Sequence, residues 1–298
     1  MISTQQLDAG RLMRWATYAS VTTAVILILV KLVAWFMTDA ISILATLIDS
    51  SLDVLASAVN LIAVRHALQP ADAEHRFGHG KAEALSGVGQ STFIAGSAGL
   101  LLLQAIGRIV HPQESMSGID VGIGVMIFSI VATLILLSFQ KHVIKKTNST
   151  AIKADALHYK TDLLVNGSVI VALLLSFYGW THFDAIFGIA IAIFILYSAW
   201  HIARESIDLL MDHELPQDER EKIIKVLRNT SDALGFHDLR TRRSGTIVFI
   251  QLHLELDSTL TLNIAHAIAD RVEQELADLF DEAEVIIHED PVVVSPVT

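Results

Sequence analysis

Cysteine is absent from this chain of 298 residues. Disulfide bonds, thiolate metal sites and cysteine nucleophiles are therefore excluded, and any metal centre must be built from other side chains. Charged residues are also scarce, at 18% of the chain, while 52% of the residues are hydrophobic and the mean hydropathy is +0.52. This composition is too apolar for an ordinary soluble protein and predicts a membrane protein.

The C-terminal part of the chain is short of basic residues. From Met211 onward it holds 18 Asp and Glu against 8 Lys and Arg, whereas residues 1–210 hold 14 against 13. The excess of negative charge disfavours nucleic acid as a partner and suits metal cations. The N-terminus lacks a small-residue cleavage signal before the first apolar run, so we interpret that run as a retained membrane span.

Six apolar segments are long enough to cross a bilayer, which takes about 20 residues. Alternate loops between them contain no Lys or Arg, whereas basic residues flank the other loops, so both termini are predicted to be cytoplasmic. The segments lie near residues 15–37, 40–66, 83–110, 119–140, 150–178 and 183–209. The loops without basic residues lie near 38–39, 111–118 and 179–182.

The pattern after Pro216 is that of a small soluble fold. Two amphipathic helical segments and three strand-like segments follow in the order αββαβ, with a turn at Ser244 and Gly245. The predicted fold class is thus a six-helix transmembrane bundle with a C-terminal cytoplasmic α+β domain. The predicted boundaries are 1–210 for the bundle and 211–298 for the second domain.

Two of the spans carry a stripe of polar residues along one helical face. Asp49 and Asp53 lie four residues apart on the second span, and His158 and Asp162 lie four apart on the fifth. On the predicted topology, Asp53 lies ~20 Å from the outer end of its helix and Asp162 ~18 Å from the inner end of its own. Both pairs are therefore expected near the middle of the membrane, where they could form a four-coordinate site for a divalent cation.

A carboxylate inside a membrane span is unfavourable, by roughly 2.5–3.5 kcal/mol for Asp at a helix centre. Such residues usually face a cavity and mark an ion path, although neutral hydrogen-bonded carboxyls or proton-relay groups are the alternative interpretation. Metal ions and protons should compete for the same ligand atoms, because carboxylate and imidazole bind metal only when deprotonated. His158 is the ligand most suited to changing protonation near neutral pH.

Two further sets of ligand-type residues are predicted on the cytoplasmic side. Asp72, His75 and His79 lie within eight residues of the loop after the second span, where a solvated loop with incidental histidines is the alternative. The C-terminal domain carries a second set, although a single histidine on a strand usually has no such role. The members of that set are His237, His253, His266, His288 and Asp290.

Four motifs together resemble the cation diffusion facilitator family, including its bacterial zinc transporters. They are LIDSSLD, HRFGHGKAE, ADALHYKTD and the tail that ends in VIIHEDP. The resemblance implies a homodimeric zinc/proton antiporter in the bacterial inner membrane, with cadmium as a surrogate ion, zinc also bound structurally in the tail, and no enzymatic activity.

The resemblance also assigns roles to particular residues. It implies that Asp49, Asp53, His158 and Asp162 form the transport site, with Leu157 as a hydrophobic gate beside it. The loop residues would form a separate site, and the tail residues a binuclear site near the dimer interface. Lys81 and Asp212 match a salt bridge at the dimer junction of such transporters.

Other functions remain open from the sequence. The ion could be iron(II) or manganese(II), which oxygen-rich sites also accept. A membrane-embedded hydrolase would need an open coordination position and a nearby general base, and four protein ligands leave neither obvious. A membrane-anchored metal sensor would signal through its tail and would not require Asp49.

Overall fold

The fold was analysed in a computed structural model, which describes residues 4–38, 41–110, 119–177 and 183–293. Six long helices are followed by a small α/β tail, in the predicted order. The helices of the first part are α1 Thr4–Thr38, α2 Ile41–Ala67, α3 Lys81–Val110, α4 Ile119–Thr147, α5 Thr150–Phe177 and α6 Phe183–Leu210. The tail contains α7 Gln217–Asn229, β1 Gly235–Ser244, β2 Ile247–Asp257, α8 Leu262–Ala277 and β3 Ala283–Val292.

The chain divides into two compact units. One contains residues 9–69 and 82–207, and the other contains residues 1–8, 70–81 and 208–298. The segment 70–81, which carries the predicted loop site, therefore groups with the C-terminal unit. The boundary predicted near residue 210 had assigned this segment to the membrane bundle.

The helical unit has the surface and interior expected for lipid surroundings. Among the described residues, four helical segments are long and apolar enough to cross a membrane: 8–37, 81–107, 124–147 and 188–210. Large apolar side chains such as Leu29, Leu103 and Ile135 are more than half exposed, and they would contact lipid in a bilayer. The count of six spans stays a prediction, and the loops without basic residues lie largely outside the described residues.

The tail is an αββαβ fold, and this prediction is confirmed. Its three-stranded sheet has the order β1-β2-β3, with β1 antiparallel and β3 parallel to the central β2. Alternate residues of β2, from Val248 to Leu256, are buried in a core with Ile223 of α7 and Val272 of α8. Because side chains alternate across a strand, the intervening His253 lies on the opposite face of the sheet.

Candidate metal centres

The structure brings Asp53 of α2 together with His158 and Asp162 of α5. His158 Nε2 lies 3.0 Å from Asp53 Oδ1 and 3.9 Å from Asp162 Oδ2. One ligand atom from each residue lies within 4.8 Å of the other two. Ligand atoms in a tetrahedral zinc site lie about 3.3 Å apart, because each is about 2.0–2.1 Å from the ion. Small side-chain shifts would therefore suffice for all three residues to bind one ion.

These three residues, which we call the intramembrane centre because the sequence predicts α2 and α5 to span the membrane, are partly shielded from bulk solvent. The exposed fractions of the His158, Asp53 and Asp162 side chains are 10%, 18% and 35%. Two carboxylates in such a setting require compensation by a metal, by protons or by another cation. The side chain of Asp49, the fourth predicted ligand, lies outside the described part of the structure, so its role stays a prediction.

A hydrogen-bond network supports the intramembrane centre from the side of α5. Tyr159, next to His158, shares a hydrogen bond of 2.9 Å with Ser57 and donates one of 3.0 Å to the Ser20 carbonyl. Asp155 accepts hydrogen bonds from Ser20 and from Gln140 Nε2. Asp155 lies three residues before His158 on α5, but its described hydrogen bonds are to α1 and α4. Ser20 is one of several hydroxyl residues in its part of α1 and Gln140 directly precedes Lys141, so no pattern in the sequence singled out these positions.

Leu157, predicted as a gate, is a core residue of the helical unit. Only 7% of it is exposed, and it belongs to a buried cluster with Ile94 and Ala98 of α3 and with Ile195 and Ala199 of α6. Its position next to His158 puts an apolar barrier beside the intramembrane centre. The gating role itself stays a prediction.

The second group, which we call the loop centre, is formed by Asp72, His75 and His79. Asp72 Oδ2 lies 3.3 Å from His79 Nε2, and Asp72 Oδ1 lies 3.6 Å from His75 Nδ1. The backbone N–H groups of His75 and Glu74 donate to the Asp72 carboxylate at 2.6 and 2.9 Å. These hydrogen bonds, the one from His75 first, lower the pKa of Asp72.

We expect zinc to leave the loop centre as the pH falls from about 7 to about 5, because imidazole side chains in general become protonated in this range. The lowered pKa of Asp72 keeps its carboxylate ionised there, so protonation of Asp72 does not account for the release. A competition titration against a chelator measures zinc binding at the loop centre. It uses the full chain with Asp53→Ala and Asp290→Ala, so that the other two groups do not contribute. Adding His79→Ala should abolish the binding, whereas adding His213→Ala, at an exposed histidine that belongs to none of the three groups, should not. Binding that persists unchanged at about pH 4.5 would contradict the assignment.

The third group, the tail centre, contains His237, His253 and Asp290. The sheet register aligns His237 of β1 with His253 of β2, and His253 with His288 of β3. Asp290 Oδ2 lies 3.2 Å from His237 Nε2 and 2.9 Å from His253 Nδ1. The hydrogen bond with His253 and the nearby imidazoles lower the pKa of Asp290. Three strands thus place a carboxylate and two imidazoles at ligand distance from one another.

The two remaining predicted tail residues lie at the edge of this group. His288 Nε2 is 3.3 Å from Asp290 Oδ1, and its ring centre is 4.7 Å from that of His253. His266 of α8 instead lies near Asp270 and Glu289, at 3.6 and 3.7 Å. The structure therefore brings His288 beside the tail centre but places His266 in a separate group with two carboxylates that the sequence analysis missed. For Asp270 the spacing was an available signal, since it lies four residues after His266 on α8.

Lys81 and Asp212 form an ion pair within one chain, with Lys81 Nζ 2.9 Å from Asp212 Oδ1. Arg242 Nη1 lies 3.3 Å from the same oxygen. Partial burial raises the pKa of Asp212, but the hydrogen bonds from Lys81 and Arg242 outweigh it and lower the pKa overall. The pairing of these residues is observed, whereas a place at a dimer junction stays a prediction.

Comparisons with known proteins cover nearly the whole chain. Residues 17–211 match the family model for the cation efflux transmembrane domain, and residues 215–292 match that for the cation efflux protein cytoplasmic domain. The chain is 47% identical over 287 residues to the cation-efflux pump FieF of Salmonella choleraesuis strain SC-B67. The aligned region covers 96% of this chain and 95% of that protein. The FieF of Salmonella newport strain SL254 gives the same identity and coverage. A solved structure, the metal-bound C-terminal domain of the CzcD transporter from Thermotoga maritima, is 28% identical over 26% of this chain and 94% of that chain, with a TM-score of 0.25.

Proposed function

The chain belongs to the cation efflux family, and from that premise we propose that it exports zinc from the cytoplasm in exchange for protons. In this proposal the metal is cargo and not a catalytic centre, and it crosses by alternating access to one central site. The protein would act as a homodimer in the bacterial inner membrane, with both termini in the cytoplasm. The family match, the similarity to bacterial pumps and the acidic tail support this arrangement.

One observation carries the proposal: Asp53, His158 and Asp162 converge between α2 and α5. A site of two carboxylates and one imidazole suits zinc, which accepts nitrogen and oxygen ligands in tetrahedral geometry. Because each ligand must be deprotonated to hold the metal, loading the site with protons releases the ion. Exchange then requires only that the site face each side of the membrane in turn.

Iron(II) and manganese(II) are the competing ions within the same mechanism. The oxygen ligands of the intramembrane centre are compatible with both, and Asp49 would add a third carboxylate. The thiolate ligands that would favour softer ions are absent, because the sequence contains no cysteine. The proposed tail centre would hold zinc structurally and would stabilise the dimer.

Purified protein in sealed vesicles tests the proposal directly, with zinc-sensitive and pH-sensitive dyes read together inside the same vesicles. We expect zinc entry driven by a zinc gradient to be accompanied by proton exit. An imposed proton gradient should in turn drive zinc in the direction opposite to the proton flow. Zinc movement without proton countermovement would contradict the antiport. Movement of iron(II) or manganese(II) but not zinc would contradict the choice of ion, and cadmium should replace zinc.

A further inference from the structure

Lys31 is a charged residue inside the apolar run of α1. It is the single charged side chain in the segment AVILILVKLVAWF, residues 24–36. It lies seven residues before the end of α1 at Thr38, which corresponds to ~10 Å along the helix. Ionisable residues at such positions are unfavourable in lipid, and they face a bundle interior or mark a functional site by default.

The lysine side chain extends into the helical unit. A lysine near the end of a membrane helix ordinarily extends its ammonium group toward the membrane surface. Lys31 Nζ instead donates a hydrogen bond of 2.7 Å to Ser50 Oγ on α2. Ser50 is only 1% exposed, and its hydrogen bond with the half-buried Lys31 side chain joins the two helices.

Ser50 connects the lysine with the face of α2 that carries the metal ligands. It precedes Asp53 by three residues, which places the two side chains on one helical face, and it directly follows Asp49 in the sequence. Asp53 in turn lies 3.0 Å from His158. The Lys31 side chain is therefore held at the face of α2 that carries Asp53.

We propose that Lys31 is a permanent counter-cation of the intramembrane centre. This inference rests on the proposed transport function. When the divalent ion has left, the ammonium stabilises the carboxylates of α2, and when the ion is bound, the two positive charges repel each other. Lys31 thereby weakens metal binding, which favours release of the cargo. It acts through the charge of the site and is not itself a metal ligand.

Replacing Lys31 by methionine, which keeps the length and removes the charge, tests this role. The zinc affinity is measured by chelator competition in the full chain with Asp72→Ala and Asp290→Ala, so that the intramembrane centre is read alone. We expect Lys31→Met to bind zinc about tenfold more tightly, because a nearby positive charge has been removed. In vesicles, the same variant of the otherwise unchanged chain should release zinc more slowly and transport it at a lower maximal rate.

Two variants separate the charge from the side chain's structural contribution. Lys31→Arg keeps the charge and should bind zinc as the parent does. Lys160→Met removes another lysine of a membrane helix, an exposed residue of α5 whose Nζ lies 4.9 Å from the Phe194 ring centre, and it should also leave the affinity unchanged. If Lys31→Met does not fold, Lys31→Gln is measured in its place with the same expectation.

The direction of the change distinguishes the proposal from a packing role, because lost packing would weaken zinc binding or leave it unchanged. If the parent transports zinc and a folded, uncharged variant binds zinc more weakly or equally well, the counter-cation role is overturned. Failure of the parent itself to bind zinc at this centre and to move it across vesicles would instead refute the proposed function, and the inference with it.

Discussion

Replacing Asp53 by asparagine is expected to reduce zinc transport by about 100-fold or more. The substitution keeps the shape of the side chain but removes the anionic ligand that lies 3.0 Å from His158 Nε2. Since changes to residues that merely support metal ligands already cost about 10–100-fold in metal affinity or activity, loss of a ligand should cost at least as much. The rate of zinc entry into vesicles at saturating zinc measures the effect.

A matched control and a binding measurement make this result specific. Asp8→Asn makes the same chemical change at an exposed residue outside the three groups described above, and it should transport zinc at the parent rate. The thermal melting of the metal-free variant should stay within a few degrees of the parent, because Asp53 does not belong to any of the buried apolar clusters of the described residues. Transport at the parent rate by Asp53→Asn would show that the ion crosses elsewhere.

The intramembrane centre was predictable because two independent constraints agreed. The four-residue spacing placed each pair of ligands on one helical face, and the distance of each pair from its helix end gave matching depths. A buried carboxylate needs compensation, so pairing α2 with α5 was the simplest physical solution. The sequence could not predict that Asp155 is bound to Ser20 and Gln140, because the rotation of one helix against its neighbours depends on packing along its whole length.

The placement of the loop centre depends on contacts that no local pattern reveals. Phe77 packs against Phe249, with ring centres 5.9 Å apart, and the Arg242 guanidinium lies over both rings. A Cβ atom on Gly80 would lie 2.5 Å from the Ser244 carbonyl oxygen, so glycine permits a close approach of two backbones there. These partners are more than 160 residues apart in the sequence, so no local pattern could predict that segment 70–81 contacts them.

In the tail, element order could be predicted but the meeting of its side chains could not. Strand alternation and the two amphipathic helices gave the αββαβ order, and the structure confirms it. Which histidines converge depends on strand register, and the register aligns His237, His253 and His288 in one row. His266 lies on a helix whose position over the sheet is set by the core, so its pairing with Glu289 could not be read from spacing.

Replacing Asp290 by asparagine is expected to abolish the stabilisation of the tail by zinc. Its two carboxylate oxygens lie within 3.3 Å of imidazole nitrogens from three residues, so the variant loses the anion on which the tail centre depends. We expect zinc to raise the melting temperature of the parent and to strengthen its dimer. In Asp290→Asn both effects should be absent, even at zinc concentrations about 100-fold above the parent Kd. Calorimetry and sedimentation with increasing zinc measure them.

Asp257→Asn is the matched control, because it removes another tail carboxylate whose pKa is lowered, in that case by hydrogen bonds from Thr259. That carboxylate has no place in the tail centre, so the variant should respond to zinc as the parent does. The pH dependence gives a second check. Because the pKa of Asp290 is lowered, its carboxylate stays ionised at every pH above the ordinary value near 4. The contribution of this carboxylate to stability is lost only as the pH falls through the lowered pKa. A loss of zinc stabilisation between about pH 7 and 5 would therefore not be caused by protonation of Asp290. An equal response to zinc in Asp290→Asn and Asp257→Asn would remove the tail centre from the mechanism and leave dimer formation independent of metal.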